Sequence, residues 1–391
     1  MMCDFLNVDI VELLCKLVEI DTTSKDRRNY DLMVNTLSGI AVDFGLKAKT
    51  VRDGRGIPHL IVTFPNSPSN GKKIVFLTHY DVVSPGEGWT VDPFKPVVEN
   101  GRVYGRGSSD DKSSIAAALI AFREALEEGL TPNFKPELII VGGEETGESE
   151  EFFRSITADI AVVLDVGPEG LSIGASGAAR VEVQIQGAGC HSAYPYKCEN
   201  PIYFAADLIK MLEKHGRWLV ENVKSRYDAP CHYGKLPARL SVTVVQAGYE
   251  FNKIPSKATL IIDRRTIPEE DAFKAGRDVV GLVQRYAAEN LSGRGLKIEA
   301  KIRGFVNGWA TTDQEVIKKF SDILARVKGE KPKVTVELGG TDGAHLIDRM
   351  PVVQYGALRE ENNIHGVDEF VYIEDLCEVK EFVKSVLMEK F

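Results

Sequence analysis

At 391 residues, with 43% hydrophobic and 27% charged residues, the chain has the composition of a folded protein and not of a disordered one. That length exceeds what one hydrophobic core usually supports, so two domains are expected. A formal net charge of -9 argues against a basic nucleic-acid surface, and no apolar run approaches the ~20 residues that span a bilayer.

Six cysteines (Cys3, Cys15, Cys190, Cys198, Cys231, Cys377) are scattered without tight disulfide spacing and read as reduced thiols. The start, Met1-Met2-Cys3-Asp4, is acidic where a signal peptide is basic, which points to a cytoplasmic protein.

Taken in order, apolar residues at helical spacing predict helices over residues 8–20 and 30–44, the second stopped by Gly45. Strand-like runs follow at 47–51 and 60–64, then a buried strand over 73–77 that ends at His79 and Asp81. A loop rich in glycine and proline leads to Gly105-Arg106-Gly107-Ser108-Ser109-Asp110-Asp111-Lys112, which opens an alanine-rich helix over 115–126. That stretch fits neither nucleotide-binding glycine pattern, so a phosphate loop is rejected. Two more buried strands, 137–141 and 159–164, run into Glu144-Glu145 and into Asp165. Three parallel-type strands thus deliver acidic or imidazole side chains at their carboxyl ends, where open α/β sheets bind ligands.

From about residue 178 the rhythm becomes strand, helix, two strands, helix, strand, with the alternation of a half-exposed sheet. A helix over 313–327, strands at 334–338 and 352–355 and a terminal helix from 374 return to the first style. The reading is a mixed, mostly parallel α/β domain (1–176 and 304–391) interrupted by an α+β domain (177–303).

His79, Asp110, Glu145, Asp165 and His365 form a donor set of imidazoles and carboxylates without thiolates. Such a set suits one or two zinc ions in open, catalytic sites better than a closed structural site. Two ions ~3.5–4 Å apart can activate water and polarise a carbonyl together. Glu144, beside the ligand Glu145, is placed to act as general base. Asp81 is placed to hold the other nitrogen of His79. Cys190-His191 with Cys198 offers a rival thiol-metal reading that lacks a fourth ligand.

Several motifs occur together: His79-x-Asp81, Gly105-Arg106-Gly107-x-x-Asp110-x-Lys112, Gly143-Glu144-Glu145, Gly189-x-His191, Asn252-x-Ile254-Pro255 with Asp263-x-Arg265, Gly339-Gly340-Thr341-Asp342, and His365. In this order and spacing the sequence resembles the di-zinc amidohydrolase and peptidase family of acetylornithine deacetylase, succinyl-diaminopimelate desuccinylase, aminoacylase, carnosine dipeptidase and glutamate carboxypeptidase. The resemblance implies a zinc-peptidase-like catalytic domain and an inserted ferredoxin-like lid that pairs across a homodimer. It implies that His79, Asp110 and Asp165 hold one metal, and Asp110, Glu145 and His365 the other, with Asp110 bridging. It further implies that His191 stabilises the oxyanion, in a neighbouring subunit's site. Arg265 and Asn252 grip the substrate's carboxylate, and the Gly340-Thr341 turn offers backbone donors.

Departures from the family pattern touch the substrate and leave the metal chemistry alone. Ser113 stands where relatives often carry Gly, and Cys198 where a Gly is frequent. Asp111 and Asp165 resemble the dipeptidase branches more than the deacylases. His345 is a rival of His365 as ligand, and Arg264 and Arg265 could pair instead with Glu269 and Glu270. The expected activity is metal-dependent hydrolysis of an amide bond beside a free carboxylate in a small molecule. An N-acyl amino acid of the deacetylase or desuccinylase kind is placed ahead of a dipeptidase or carboxypeptidase substrate. Zinc is favoured over cobalt or manganese, and neither nucleic acid nor membrane is expected as a partner. A non-catalytic binding relative would have lost a ligand or the base, and here all are present.

Overall fold

The computed structural model describes residues 8–68, 70–291 and 293–391, so Cys3 and the acidic amino-terminal stretch lie outside the described residues. The chain divides into two compact units. One comprises Met1–Ile173, Thr311–Thr335 and Thr341–Phe391; the other comprises Gly174–Ala310 and Val336–Gly340.

The first unit is organised on a mixed sheet whose strands run in the order Lys47–Arg52, Pro58–Thr63, Lys135–Val141, Lys73–His79, Ile160–Val163, Val352–Gln354, Gly170–Ala175. Lys73–His79 lies parallel to both of its neighbours, and Val352–Gln354 lies parallel to Ile160–Val163. The flanking pairs are antiparallel. The parallel centre matters because it sends four strand ends to one edge. Ile74, Val75, Phe76 and Leu77 are almost wholly buried, as are Leu138, Ile140, Val162 and Val163. Burying a side chain of this size stabilises by roughly 1.5–3 kcal/mol, so the register of these strands is strongly held.

Gly170–Ala175 escapes the apolar-run criterion because Gly170 and Gly174 interrupt it. The glycines are there for close backbone approach: a Cβ on Gly170 would stand 2.5 Å from the carbonyl oxygen of Lys333. The helix Lys112–Glu127 is buried along most of its length, since its alanines allow close packing against Val8–Val18 and Ile373–Met388. A small antiparallel sheet of Val97–Glu99, Arg102–Tyr104 and Phe370–Tyr372 joins the middle of the chain to its end.

The second unit is an antiparallel sheet in the order Arg239–Ala247, Lys257–Thr266, Gly177–Gln186, Lys297–Val306, with helices Pro201–Asn222 and Ala272–Asn290 packed on it. Partly exposed and buried positions alternate along Lys257–Thr266, as expected of a sheet with one wet face. Asn200 caps the first helix with Pro201 at its first turn, and Asp271 caps the second. The first helix runs seven residues past the expected stop at 215, because Gly216 and Leu219 are buried on it.

One sequence expectation is overturned. Cys190 and Cys198 form a disulfide, with Cα atoms 6.0 Å apart. The intervening segment folds back through a short 3-10 turn at Pro195–Lys197, so eight residues of separation close to bonding distance. Both sulfurs being engaged, the thiol-metal reading falls with it. Among the described residues, no helix is long and apolar enough to cross a membrane.

Candidate metal centre

His79 is the last residue of its strand and is 1% exposed. Its Nδ1 lies 3.0 Å from the carbonyl oxygen of Asp81, to which it donates. That bond fixes the tautomer and leaves the Nε2 lone pair facing the carboxylates, as a metal ligand requires. Nε2 stands 3.0 Å from Oδ1 of Asp110, 3.8 Å from Glu144 and 3.9 Å from Asp165.

The other oxygen of Asp110 is 3.0 Å from Nε2 of His365, and that nitrogen is 3.1 Å from Glu145. One carboxylate therefore stands between two imidazoles and offers an oxygen to each. Asp110, Glu145 and His365 form one group of donors within 4.8 Å of one another. His79 and Asp165 form a second group, completed there by Asp111, and Glu144, Asp165 and Asp342 form a third. The structure thus brings together all five sequence-expected ligands and the expected base. It adds Asp111 and Asp342, neither of which is among the sequence-expected ligands.

The field inside this cluster is unbalanced. Burial, then the charges of Asp342, Asp165 and Glu145, push the carboxyl of Glu144 well above its ordinary range. Burial, then Asp110 and Asp111, do the same to Asp165. Burial carries Asp111 up to about 8 and Asp342 up to about 7. Conversely, hydrogen bonds donated to the carboxylates of Asp110 and Glu145 raise His365 to about 10. For His79 burial opposes the charge, yet Asp110 and the neighbouring carboxylates still raise it well above 6.5. Protons are acting where stronger cations would be favoured. Imidazole and carboxylate donors at this spacing, with one shared carboxylate, fit a pair of divalent ions.

Asp81 meets His79 through its carbonyl more closely than through its carboxylate. Its carboxylate stands 3.8 Å from Nδ1 of His79 and accepts instead the backbone N–H groups of Glu144, at 3.1 Å, and Glu145, at 3.2 Å. Wholly buried, and pushed by that burial up to about 6, its carboxyl anchors the turn that carries Glu144 and Glu145. That turn is tight: a Cβ on Gly142 would stand 2.1 Å from the hydroxyl of Tyr80.

His345 belongs to none of the three donor groups among the described residues. It is half-buried, 3.9 Å from Glu150 and stacked on Phe153, which leaves it no part as rival ligand.

In the second unit, His191 and Asn252 line a cavity of about 400 Å³. His191 is exposed, and its Nδ1 accepts the N–H of Ala193 at 3.1 Å. Arg264 pairs with Glu270 at 2.6 Å, whereas Arg265 takes Asp263 at 2.7 Å and lies cross-strand from Arg239. Arg239 donates to Ser176 at 2.7 Å and to the carbonyl of Leu338 at 2.9 Å, just before the Gly339-Gly340 turn. Gly340 belongs to this unit and Thr341 to the first.

Residues 75–389 match the model of Peptidase family M20/M25/M40. The succinyl-diaminopimelate desuccinylase 2 of Ruegeria sp. (strain TM1040) is 29% identical over 404 residues, 98% of this chain and 95% of the relative. The fold is similar to that of human carnosine dipeptidase 1, at a TM-score of 0.76 and 16% identity, covering 98% of this chain and 96% of that one. It is similar also to the Bacillus subtilis YXEP protein, a dinuclear metal binding peptidase, at a TM-score of 0.69 and 16% identity, covering 98% and 97%.

Proposed function

Because the chain belongs to Peptidase family M20/M25/M40, whose members hydrolyse amide bonds, we propose that it cleaves a small substrate carrying a free carboxylate on the amine side of the bond. N-acyl amino acids of the deacetylase or desuccinylase type are the first class. The observation that carries this reading is the carboxylate of Asp110, with one oxygen 3.0 Å from each of two imidazoles. His79, Asp110 and Asp165 would hold one divalent ion, and Asp110, Glu145 and His365 the other, with Asp111 as a further donor on the His79 side. Two such ions, zinc first and cobalt or manganese as substitutes, would supply Lewis acidity toward the carbonyl and a lowered pKa for water.

The remaining steps belong to the chain itself. Glu144, with its carboxyl raised by burial and by its acidic neighbours, takes a proton from the attacking water and returns it to the leaving amine. Asp81 holds the backbone of Glu144 and Glu145 and so fixes base and ligand in one turn. The roles of His191 toward the oxyanion, of Arg265 and Asn252 toward the carboxylate, and of the Gly340-Thr341 turn rest on the family resemblance. So does a homodimer formed through the second unit.

A second reading, cleavage of unblocked short peptides, is favoured by Asp342. Its carboxylate lies within 4.8 Å of donor atoms of Glu144 and Asp165. Neither a hydrogen bond nor an ion pair engages it among the described residues. A free α-ammonium next to the scissile carbonyl would meet it there, and a succinyl carboxylate would be repelled.

The test is a panel of N-acetyl amino acids, N-succinyl amino acids and unblocked dipeptides, run on the zinc-supplied protein and on Glu144→Gln. Turnover on one class, reduced about 10²- to 10⁴-fold by the substitution, is expected. Higher turnover of dipeptides promotes the second reading. Unchanged turnover in Glu144→Gln, or none in the parent on any class, removes the proposal.

A further inference from the structure

We propose that Glu369, clasped to Arg106, is a positioning residue that sets one half of the metal centre, the half made by Asp110, Glu145 and His365. The proposal rests on the two-ion reading above and goes beyond it, since neither side chain belongs to any donor group.

The clasp grows out of the small sheet. Antiparallel pairing of Arg102–Tyr104 with Phe370–Tyr372 sets Phe370 opposite Tyr104. Glu369 therefore faces the chain where it leaves the strand for the Asp110 turn. Its own carbonyl accepts the N–H of Gly105 at 2.9 Å, which extends the ladder by one rung. The side chain then reaches along the turn. Oε1 accepts from the backbone N–H of Ser109 at 2.9 Å and of Asp110 at 3.0 Å. Oε2 accepts from Gly107 N–H at 3.1 Å and from Nη1 of Arg106 at 2.5 Å. Arg106 spends its other terminal nitrogen on the carbonyl of Gly366, at 2.7 Å, one residue beyond His365.

A single ion pair thus grips the backbone beside both ligands. Glu369 is 0% and Arg106 1% exposed, so water does not substitute for either partner. A carboxylate suits the position because it only accepts, and the surrounding groups only donate. An amide in its place would turn two donor hydrogens toward a turn made of N–H groups.

The need for such a clasp is local. His365 sits on a loop with a φ of 62°, and its side chain is 52% exposed, so packing alone does not orient it. His79 has a core strand behind it and no comparable contact with the clasp. Losing a partner of this kind typically weakens metal binding about 10- to 100-fold. Here that loss should fall mainly on the ion that His365 helps to hold, because Asp110, although it serves both ions, stays braced on the other side by the strand-fixed His79.

The experiment titrates zinc into metal-stripped parent and Glu369→Gln by calorimetry. Bound zinc is counted after dialysis, and kcat and KM are measured on the substrate found above. The parent should bind two equivalents. Glu369→Gln should hold its first ion within about threefold of the parent and its second about 10- to 100-fold more weakly. Its kcat should recover with added zinc while KM stays near the parental value, a pattern that general loosening does not produce. Two ions held as tightly as in the parent, or both weakened alike, would overturn the proposal.

If circular dichroism shows Glu369→Gln unfolded, Arg106→Lys carries the test. It keeps a cation beside Glu369 and loses the reach to Gly366, so the same second ion should weaken about tenfold. Unaltered binding of both ions in Arg106→Lys would equally overturn the proposal. A parent that binds fewer than two ions sinks this proposal together with the two-ion reading. A parent that binds two ions yet turns over nothing convicts the substrate reading alone.

Discussion

The two imidazoles that flank Asp110 are held by opposite means. His79 closes a strand that is parallel to both neighbours and is 1% exposed, so its place follows from the register of the core. His365 stands on a loop, with a side chain 52% exposed, and its place follows from hydrogen bonds made by residues around it. Asp165 resembles His79 in following a core strand. Glu145 resembles His365, since its backbone is fixed by the buried carboxylate of Asp81. One flank is built by the hydrophobic effect, the other by buried charge that must stay paired. The first should resist substitution nearby, and the second should depend on a few polar side chains.

The comparison breaks at Asp110, which serves both flanks. Asp110→Asn keeps the shape and removes the shared charge, so affinity for both ions should fall and kcat/KM should drop on the order of 10³-fold. Metal counting after dialysis checks it; one ion kept at parental affinity would mean that one flank needs no bridge. A smaller effect sharpens the contrast. Asp81→Asn leaves the carbonyl that orients His79 and replaces the carboxylate that takes two N–H groups from the Glu144 turn. It should lower kcat about 10- to 100-fold and weaken the ion on the Glu145 side. Weakening confined to the His79 side would instead restore the role the sequence suggests for this side chain.

The same division explains what was legible beforehand. Core strands announce themselves, because Phe76, Leu138 and Val162 sit in short β-branched and aromatic runs, and the polar residues after them stand out. His79, Glu144, Glu145 and Asp165 were visible for that reason. Asp110 and His365 lie in loops without periodicity, and only family-like motifs mark them. Glu369 was missed although it stands four residues after His365, since a lone acid in a loop is ordinarily solvated. Its burial depends on a pairing with Arg102–Tyr104, some 265 residues away in the chain. Asp342 reads only as part of a glycine-rich turn, because no local pattern tells which acids will face a cluster. The Cys190–Cys198 bond was missed likewise, since closure depends on the turn at Pro195–Lys197 and not on spacing.

The mildest test concerns a support beneath the loop-built flank. His59 is 0% exposed, stacked on Phe152 with ring centroids 3.7 Å apart, and its Nδ1 accepts the N–H of Gly142 at 3.4 Å. That hydrogen bond lies just before the Glu144 turn and requires a neutral ring. Burial lowers the pKa of His59 to about 4, although Asp53 pulls the other way. In the unfolded chain an imidazole titrates near 6.5. Between these values the unfolded state binds more protons than the folded one, so stability falls as the pH is lowered. Nothing is lost above 6.5, and by pH 5 the cost from this residue should be about 2 kcal/mol. Urea unfolding of metal-stripped protein at pH 7 and pH 5 measures the drop, and His59→Gln should shrink it by about that amount while leaving other acid-sensitive groups in place. An equal drop in both proteins would show that His59 is already charged in the fold, and that the Gly142 backbone is held by something else.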